Sequence, residues 1–170
     1  MKYKEARTLN GVKVVTQTDI DNALYEASSL SRARKPILIH DSFENVPQRF
    51  INCLNTNSYV RPHMHNLPEQ WELMSWLSGD LVAVFFDENG VVTNKILMNK
   101  DNTKVIEIPA LCYHSFVAIK HGSYLEIRNC KYQPKIDRVY AAWSPEEDST
   151  LATSYQSKLL TTKVGESLII

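Results

Sequence analysis

The sequence predicts an all-β fold, an antiparallel sandwich or barrel, and three observations predict it. Apolar and polar residues alternate with a period of two over many short segments, which is the pattern of half-buried strands. Turn signals separate these segments, among them Asn55-Thr56-Asn57, Gly79-Asp80 and His121-Gly122, and no helical pattern lies between them. Asn89-Gly90, placed between two apolar runs, is typical of a hairpin turn.

The elements follow in chain order, with helices expected only near the two ends. The predicted strands span 36–40, 48–54, 58–65, 71–77, 81–86, 91–98, 105–108, 114–119 and 123–129. A helix is predicted near 19–30 with Asp19 as its cap, and a second near 145–159, where Ser144-Pro145-Glu146-Glu147 reads as a capping box. We therefore expect one domain: an N-terminal extension at 1–35, a barrel at 36–132 and a C-terminal extension at 133–170.

Composition narrows the class of protein. Lysine plus arginine and aspartate plus glutamate number 19 each, so no basic excess favours nucleic acid as a partner. No apolar run reaches the roughly 18 residues of a membrane helix, and the first residues lack the apolar core of a secretory signal. Three widely spaced cysteines suit free thiols. We expect a cytoplasmic protein that binds neither nucleic acid nor membrane.

Two histidine clusters carry the strongest chemical signal. Residues two apart on a strand face the same side, so His63 and His65 can direct both imidazoles to one point. Glu72 and the more distant His114 would complete a mixed nitrogen and oxygen ligand set. Such a set suits one divalent first-row ion: zinc, iron, manganese or nickel.

The spacing of these residues resembles the two motifs of the cupin superfamily. His63, His65, Glu72 and Gly79 match the first motif, G-x5-H-x-H-x3,4-E-x6-G. Pro109 and His114 match the second motif, G-x5-P-x-G-x2-H-x3-N. The resemblance implies a double-stranded β-helix, the jelly-roll barrel of cupins, with short helical additions at the N- and C-terminal ends.

Six residues, rather than three or four, separate His65 from Glu72, and this longer spacing resembles the WbuC family of cupin-fold metalloproteins. The stretch from Ser58 to Glu72, Asn45 to Asn52 and the segment ending in Ser144-Pro145 are similar to the same family. Proteins similar to this family are encoded in surface-polysaccharide and O-antigen gene clusters. The resemblance implies a fold and a metal more firmly than a reaction.

Several side chains compete for roles in the site. Glu69 has the spacing from His65 found in most cupins, but we prefer Glu72 as the carboxylate ligand because it lies inside a strand. For binding substrate we select Arg61, Tyr59 and Arg49, since a guanidinium matches phosphate or carboxylate. Candidates for a catalytic base are Tyr59, Glu72 and His40.

Three functions remain open from the sequence. The first is a metal-dependent isomerase or epimerase of a sugar or nucleotide-sugar in surface-polysaccharide (O-antigen or lipopolysaccharide) biosynthesis. The second is an Fe(II)-dependent dioxygenase, which would use the same three histidines and glutamate. The third is a non-catalytic saccharide-binding protein. Because cupins resemble one another in pairing, and a barrel of this size has sheet edges to cover, we also expect a homodimer.

Overall fold

The computed structural model describes residues 3–133 and 138–169, and it has eleven strands and two helices in that part of the chain. Residues 1–2, 134–137 and 170 of the two predicted extensions lie outside the described range. The strands are β1 Lys4–Glu5, β2 Arg7–Leu9, β3 Val12–Val14, β4 Arg34–Leu38, β5 Gln48–Leu54, β6 His63–Met64, β7 Glu72–Phe86, β8 Val92–Met98, β9 Val105–Ile108, β10 Tyr113–Arg128 and β11 Val139–Tyr140. The helices are α1 Gln17–Ala27 and α2 Ala152–Thr161. None of the described helices is both long and apolar enough to cross a bilayer.

Two long antiparallel strands, β7 and β10, build both sheets of the barrel. The first half of β7 pairs with the second half of β10, and the second half of β7 pairs with the first half of β10. The register shifts between Ala118 and Tyr124. One sheet has the order β1-β4-β5-β10-β7-β9, and the other has the order β8-β7-β10-β6-β11. In the described part of the chain, the strands from β4 to β11 pair with one another in antiparallel fashion, and β1 pairs with β4 in parallel. The predicted jelly-roll barrel is confirmed.

Gly79 and Gly122 mark bends inside these strands, not the turns that the sequence predicted. Gly79 has φ +78°, and a Cβ placed there would lie 2.3 Å from the carbonyl oxygen of His121. The two backbones therefore approach too closely for any side chain, and each strand changes direction without losing its partner. The predicted hairpin at Asn89-Gly90 is confirmed between β7 and β8.

Each sheet also packs its outer face against one helix. The interior holds the largest apolar cluster, which includes Met74, Leu81, Met98 and Phe116. Ile20 and Ala23 of α1 cover the outer face of the first sheet, and Tyr155 and Leu159 of α2 cover that of the second. The barrel is thus closed by apolar packing on both outer faces.

The helix starts differ from the prediction, and the reasons are local. Thr16 is the N-cap of α1, and Asp19 is the third helical residue whose carboxylate bonds back to the Thr16 amide. The second helix begins at Ala152 rather than near 145. The Ser144 hydroxyl donates to the Ala141 carbonyl instead of capping a helix, and Glu147 is held by two arginines.

The predicted strand at 58–65 is also mostly absent. Only His63 and Met64 pair with neighbours, His63 with His114 and Met64 with Val139. Pro62, which has no amide hydrogen, precedes this short strand.

Candidate metal centre

Three of the predicted ligand residues lie on strands and a fourth follows one, and all four meet in the interior at one end of the barrel. His63 and His114 are direct cross-strand partners on β6 and β10, and Glu72 begins β7. His65 follows β6 with the same parity as His63. All four side chains are buried, with relative exposures of 2–4%. The grouping expected from the sequence is therefore present.

The four side chains form a compact cluster. The ligand nitrogens of His63, His65 and His114 all lie within 4.8 Å of one another, so these three imidazoles could hold one metal ion. Glu72 contacts two of them through different oxygens, at 2.9 Å from His65 Nε2 to Oε1 and 3.0 Å from His114 Nε2 to Oε2. The three histidines agree with a metal-binding group, and Glu72 as a fourth ligand stays a prediction.

Backbone carbonyls fix the orientation of two imidazoles. His63 Nδ1 lies 2.8 Å from the Arg61 carbonyl oxygen, and His114 Nδ1 lies 3.0 Å from that of Cys112. A carbonyl can only accept, so each Nδ1 carries the hydrogen. In a neutral ring Nε2 then keeps its lone pair and faces the cluster, as in metal-binding histidines with an oriented second nitrogen.

Burial and charge act in opposite directions on these groups. Burial lowers the pKa of His63 well below its usual range, and the nearby Arg138 and His114 lower it further. Burial alone would raise the pKa of Glu72, but contacts with His114 and His65 outweigh it and lower that pKa well below its usual range. A neutral His63 beside an ionised Glu72 is the protonation state that binds a cation.

A further observation indicates that the three imidazoles and Glu72 fit a divalent metal ion. Glu72 Oε2 is buried and has no hydrogen-bond partner among the described residues, although His114 Nε2 lies 3.0 Å away. With Nδ1 of His114 committed as donor, a neutral ring would bring a lone pair towards a carboxylate. A cation shared between the two atoms removes that conflict.

His63, Glu72 and His114 of this cluster line a cavity of about 40 Å³, room for an ion and a few small-ligand atoms. Its polar lining includes Asn52, Glu126, Arg34 and Arg138, which our site prediction did not include. Strand alternation gave a signal for Glu126, because it lies twelve positions after His114, an even offset that would place both on one face of a continuous strand. The bend near Gly122 made that count uncertain from sequence alone.

Glu126 is a second buried carboxyl group beside Glu72. Asn52 Nδ2 donates to Glu126 Oε2 at 2.6 Å, and Arg128 Nε lies 3.7 Å from Oε1. Burial raises the pKa of Glu126 well above its usual range, and the charge of Glu72 raises it further. The cavity thus pairs a carboxyl group whose pKa is lowered with one whose pKa is raised.

Two predicted substrate-binding residues face away from this cavity. The hydroxyl of Tyr59 donates to the Pro145 carbonyl at 3.0 Å, and its ring packs on Tyr155 under α2. The guanidinium of Arg61 lies over the ring of Tyr140 and against the Ser144 hydroxyl. Both side chains hold the C-terminal segment on the outer face, so the expected roles in the cavity are not retained.

The remaining candidate residues, Arg49, Glu69 and His40, lie outside the metal cluster. On β5, Gln48 faces the interior and Arg49 the opposite side, so Arg49 does not line the cavity. Glu69 is exposed in the loop before β7, whereas Glu72 is buried. His40 lies outside the metal cluster, with Nδ1 against the Arg49 backbone.

A larger groove of about 350 Å³ adjoins the cavity on the inner face of the first sheet. Arg34, Asn52 and Arg138 line both spaces and so form their common wall. His40 lines the groove, where burial lowers its pKa. Arg34 has a pKa lowered by burial to about 10 and therefore keeps its positive charge at neutral pH.

Comparisons with known proteins agree with this architecture. Residues 15–98 match the model of a domain of unknown function, DUF6016. No curated protein matches the chain. ChmJ, a 3'-monoepimerase from Streptomyces bikiniensis solved with dTDP-quinovose, is 14% identical with a TM-score of 0.50, and the match covers 56% of this chain and 51% of ChmJ.

Two other solved structures are similar over the same share of the chain. The capsular polysaccharide assembling protein CapF from Staphylococcus aureus is 17% identical (TM-score 0.49), with 56% of this chain and 26% of CapF covered. A cupin superfamily protein from Desulfitobacterium hafniense is 18% identical (TM-score 0.45), with 56% and 76% covered. This chain therefore spans about a quarter of CapF and about half of ChmJ. Together with the strand topology, the likeness to ChmJ shows that the chain has the cupin barrel fold.

Proposed function

We propose that this chain is a metal-dependent cupin of the WbuC type that acts on a sugar or nucleotide-sugar. The proposed reaction is isomerisation or epimerisation next to a carbonyl, within surface-polysaccharide assembly. The likeness to sugar-modifying cupins such as ChmJ and the family resemblance of the motifs support this proposal.

The observation that carries the proposal is a cluster of three buried imidazoles, of which His63 and His114 line one cavity together with Glu72 and Glu126. His63, His65, His114 and Glu72 would hold the metal. A bound divalent ion supplies Lewis-acid polarisation of a substrate oxygen. Glu126, held by Asn52, is the candidate for moving a proton, because it lines the cavity without belonging to the imidazole cluster.

The test combines metal analysis with proton exchange. Freshly purified protein is assayed for zinc, iron, manganese and nickel, and incubated with sugars and nucleotide-sugars in deuterated water. We expect one metal ion per chain and deuterium incorporation at a carbon next to a carbonyl. Glu126→Gln should remove exchange and keep the metal, while Glu107→Gln, an exposed glutamate on β9, should change neither.

The size of the inner cavity favours one alternative. A space of about 40 Å³ admits dioxygen or water more readily than a sugar ring, which suits an Fe(II)-dependent dioxygenase. Iron with substrate-dependent oxygen uptake would support that reading against the isomerase. Tight saccharide binding without exchange or oxygen uptake would instead identify a non-catalytic saccharide-binding protein.

A further inference from the structure

The groove beside the metal cavity is lined by an excess of positive charge. Four arginines line it, and no aspartate or glutamate is part of that lining in the described ranges 3–133 and 138–169. These arginines are Arg32, Arg34, Arg128 and Arg138. Glu147 pairs with both Arg32 and Arg34, and Glu126 lies 3.7 Å from Arg128, so these two carboxylates balance part of the positive charge. The lining therefore favours an anion.

The position of Arg128 is suited to recognising that anion. Its guanidinium carbon lies 5.6 Å from the centre of the Phe50 ring, and the side chain is buried. Stacking on an aromatic ring restricts a guanidinium to one plane, which reduces the entropy lost when it binds phosphate through two hydrogen bonds. Arg128 lies between its strand partners Gln48 on β5 and Glu72 on β7, and both Arg128 and Gln48 line the groove.

His40 supplies a second polar group. Its Nδ1 is engaged by the backbone of Arg49, and its Nε2 is buried without a hydrogen-bond partner among the described residues. The side chain is 4% exposed and lines the groove. A buried ring nitrogen of this kind is costly unless a ligand or water satisfies it.

Three aromatic side chains at the rim offer a surface for a planar ring. Tyr3, Phe43 and Tyr132 line the groove and are 44%, 37% and 38% exposed. The ring centres of Tyr3 and Tyr132 lie 5.5 Å and 5.1 Å from that of Phe43. A cluster of exposed aromatic rings beside cationic side chains is typical of sites that stack a base and bind its phosphates.

We propose that this groove is a binding site for a nucleoside diphosphate group, with the diphosphate on Arg32, Arg128 and Arg138 and the base on the aromatic rim. The proposal rests on the proposed function and deepens it, since a sugar attached to the diphosphate would extend past Arg34 and Asn52 to the mouth of the metal cavity. The groove itself needs no metal to bind its ligand.

The test is titration calorimetry of the full chain with uridine, thymidine, adenosine and guanosine diphosphates, with inorganic pyrophosphate and with the free nucleosides. We expect at least one nucleoside diphosphate to bind saturably below about 1 mM, more tightly than pyrophosphate or its own nucleoside. Binding should persist after chelation of the metal and weaken with rising salt.

Matched variants locate the site. Arg32→Gln and Tyr132→Ala should each weaken binding about tenfold. Arg7→Gln and Tyr25→Ala, an arginine and a tyrosine on the surface outside the groove, should leave it unchanged. Thermal unfolding of each variant checks that it is folded, and Arg128→Gln provides a second charge variant.

The outcomes separate this proposal from the proposed function. Absence of saturable binding by any of the diphosphates, or binding that ignores both groove variants, would overturn the groove assignment. Equal affinity for pyrophosphate and nucleoside diphosphate would overturn the role of the aromatic rim. Diphosphate binding without proton exchange on any sugar supports the groove and contradicts the isomerase.

Discussion

Glu72 and Glu69 differ in burial by far more than their separation of three residues suggests. Glu72 is 2% exposed and touches two imidazoles, while Glu69 is exposed in a loop. We predict that Glu72→Gln weakens metal binding and that Glu69→Gln leaves it unchanged. His63→Ala and His65→Ala should abolish stoichiometric metal, because each removes a ligand nitrogen from the cluster.

Metal content by elemental analysis of each purified variant decides this prediction. Loss of metal in Glu69→Gln together with full metal in Glu72→Gln would show that the carboxylate ligand was wrongly chosen. Full metal in the histidine variants would make the cluster a structural feature of the barrel.

At the level of single residues, sequence reasoning found the groups with motif spacing and missed those defined only by the fold. His63, His65 and Glu72 lie within ten residues of one another, so strand parity and spacing were enough to bring them together. Tyr59 has the parity of His63, but the chain before β6 is not a strand, and parity therefore has no meaning there. Glu126 and Asn52 meet through the pairing of β5 with β10, which no local pattern encodes.

Glu147 helps to hold the segment between β11 and α2 on the barrel. Glu147 pairs with Arg32 and Arg34, and the side chain of Arg34 is only 9% exposed. We predict that Glu147→Gln lowers the free energy of unfolding by about 2 kcal/mol, because it leaves a buried guanidinium without its counter-ion. Glu146→Gln, whose side chain is 74% exposed, is the matched control and should change it by less than about 0.5 kcal/mol.

The same carboxylate gives this difference a pH dependence. Burial alone would raise the pKa of Glu147, but Arg34 and Arg32 outweigh it and lower that pKa. A carboxyl whose pKa is lowered by folding stabilises the protein above its unfolded-state value, near about 4.3, and this stabilisation is lost as pH falls through the folded value. Urea unfolding should therefore show the gap between wild type and Glu147→Gln closing below about pH 4. A gap that persists at low pH would contradict the ion-pair account.

At the bend in β7 the two long strands approach each other closely, and a substitution of Gly79 tests this contact. Gly79 and Gly11 both have positive φ, +78° and +82°, but of the two only Gly79 would bring an added Cβ within 4 Å of other atoms. We predict that Gly79→Ala costs several kcal/mol or prevents folding, whereas Gly11→Ala costs about 1 kcal/mol for the backbone alone. Equal losses measured by thermal unfolding would show that backbone conformation, not the contact with His121, dominates.

The elements themselves were largely predictable, and their ends were not. Period-two alternation located β4, β5, β8 and β9, and it located β7 and β10 as two shorter strands each. The sequence predicts turns at Gly79 and Gly122 because glycine usually interrupts a strand. In the structure these two glycines instead permit β7 and β10 to continue around a bend. Ser144-Pro145 has the composition of a helix start, but tertiary contacts of Ser144 and Glu147 use those groups elsewhere.

For the molecule as a whole, metal binding should be coupled to stability. The proposed ligands come from β6, β7 and β10, which are brought together only in the folded chain. Removal of the metal by a chelator should lower the melting temperature by about 5–10 °C, since a ligand at about 100 times its Kd contributes about 2.7 kcal/mol. His63→Ala should show no further decrease on chelation, and a melting temperature unaffected by chelator in the wild type would contradict a tightly bound ion.

The predicted homodimer is also a property of the whole molecule. Exposed apolar side chains lie on the outer surface of the barrel strands, among them Leu77, Leu97, Val105 and Ile119. Pairing of two copies would cover surface of this kind. We expect a dimer at micromolar concentration in sedimentation experiments, and a monomer throughout that range would contradict the prediction.

The two long strands have a consequence for how the molecule opens. Because β7 and β10 each belong to both sheets, neither sheet can separate from the other without breaking hydrogen bonds in both. We therefore expect partial openings that expose only one sheet to be unfavourable. A destabilising substitution at the opposite end of either strand, far from the imidazoles, should therefore disrupt the metal centre by unfolding the whole barrel.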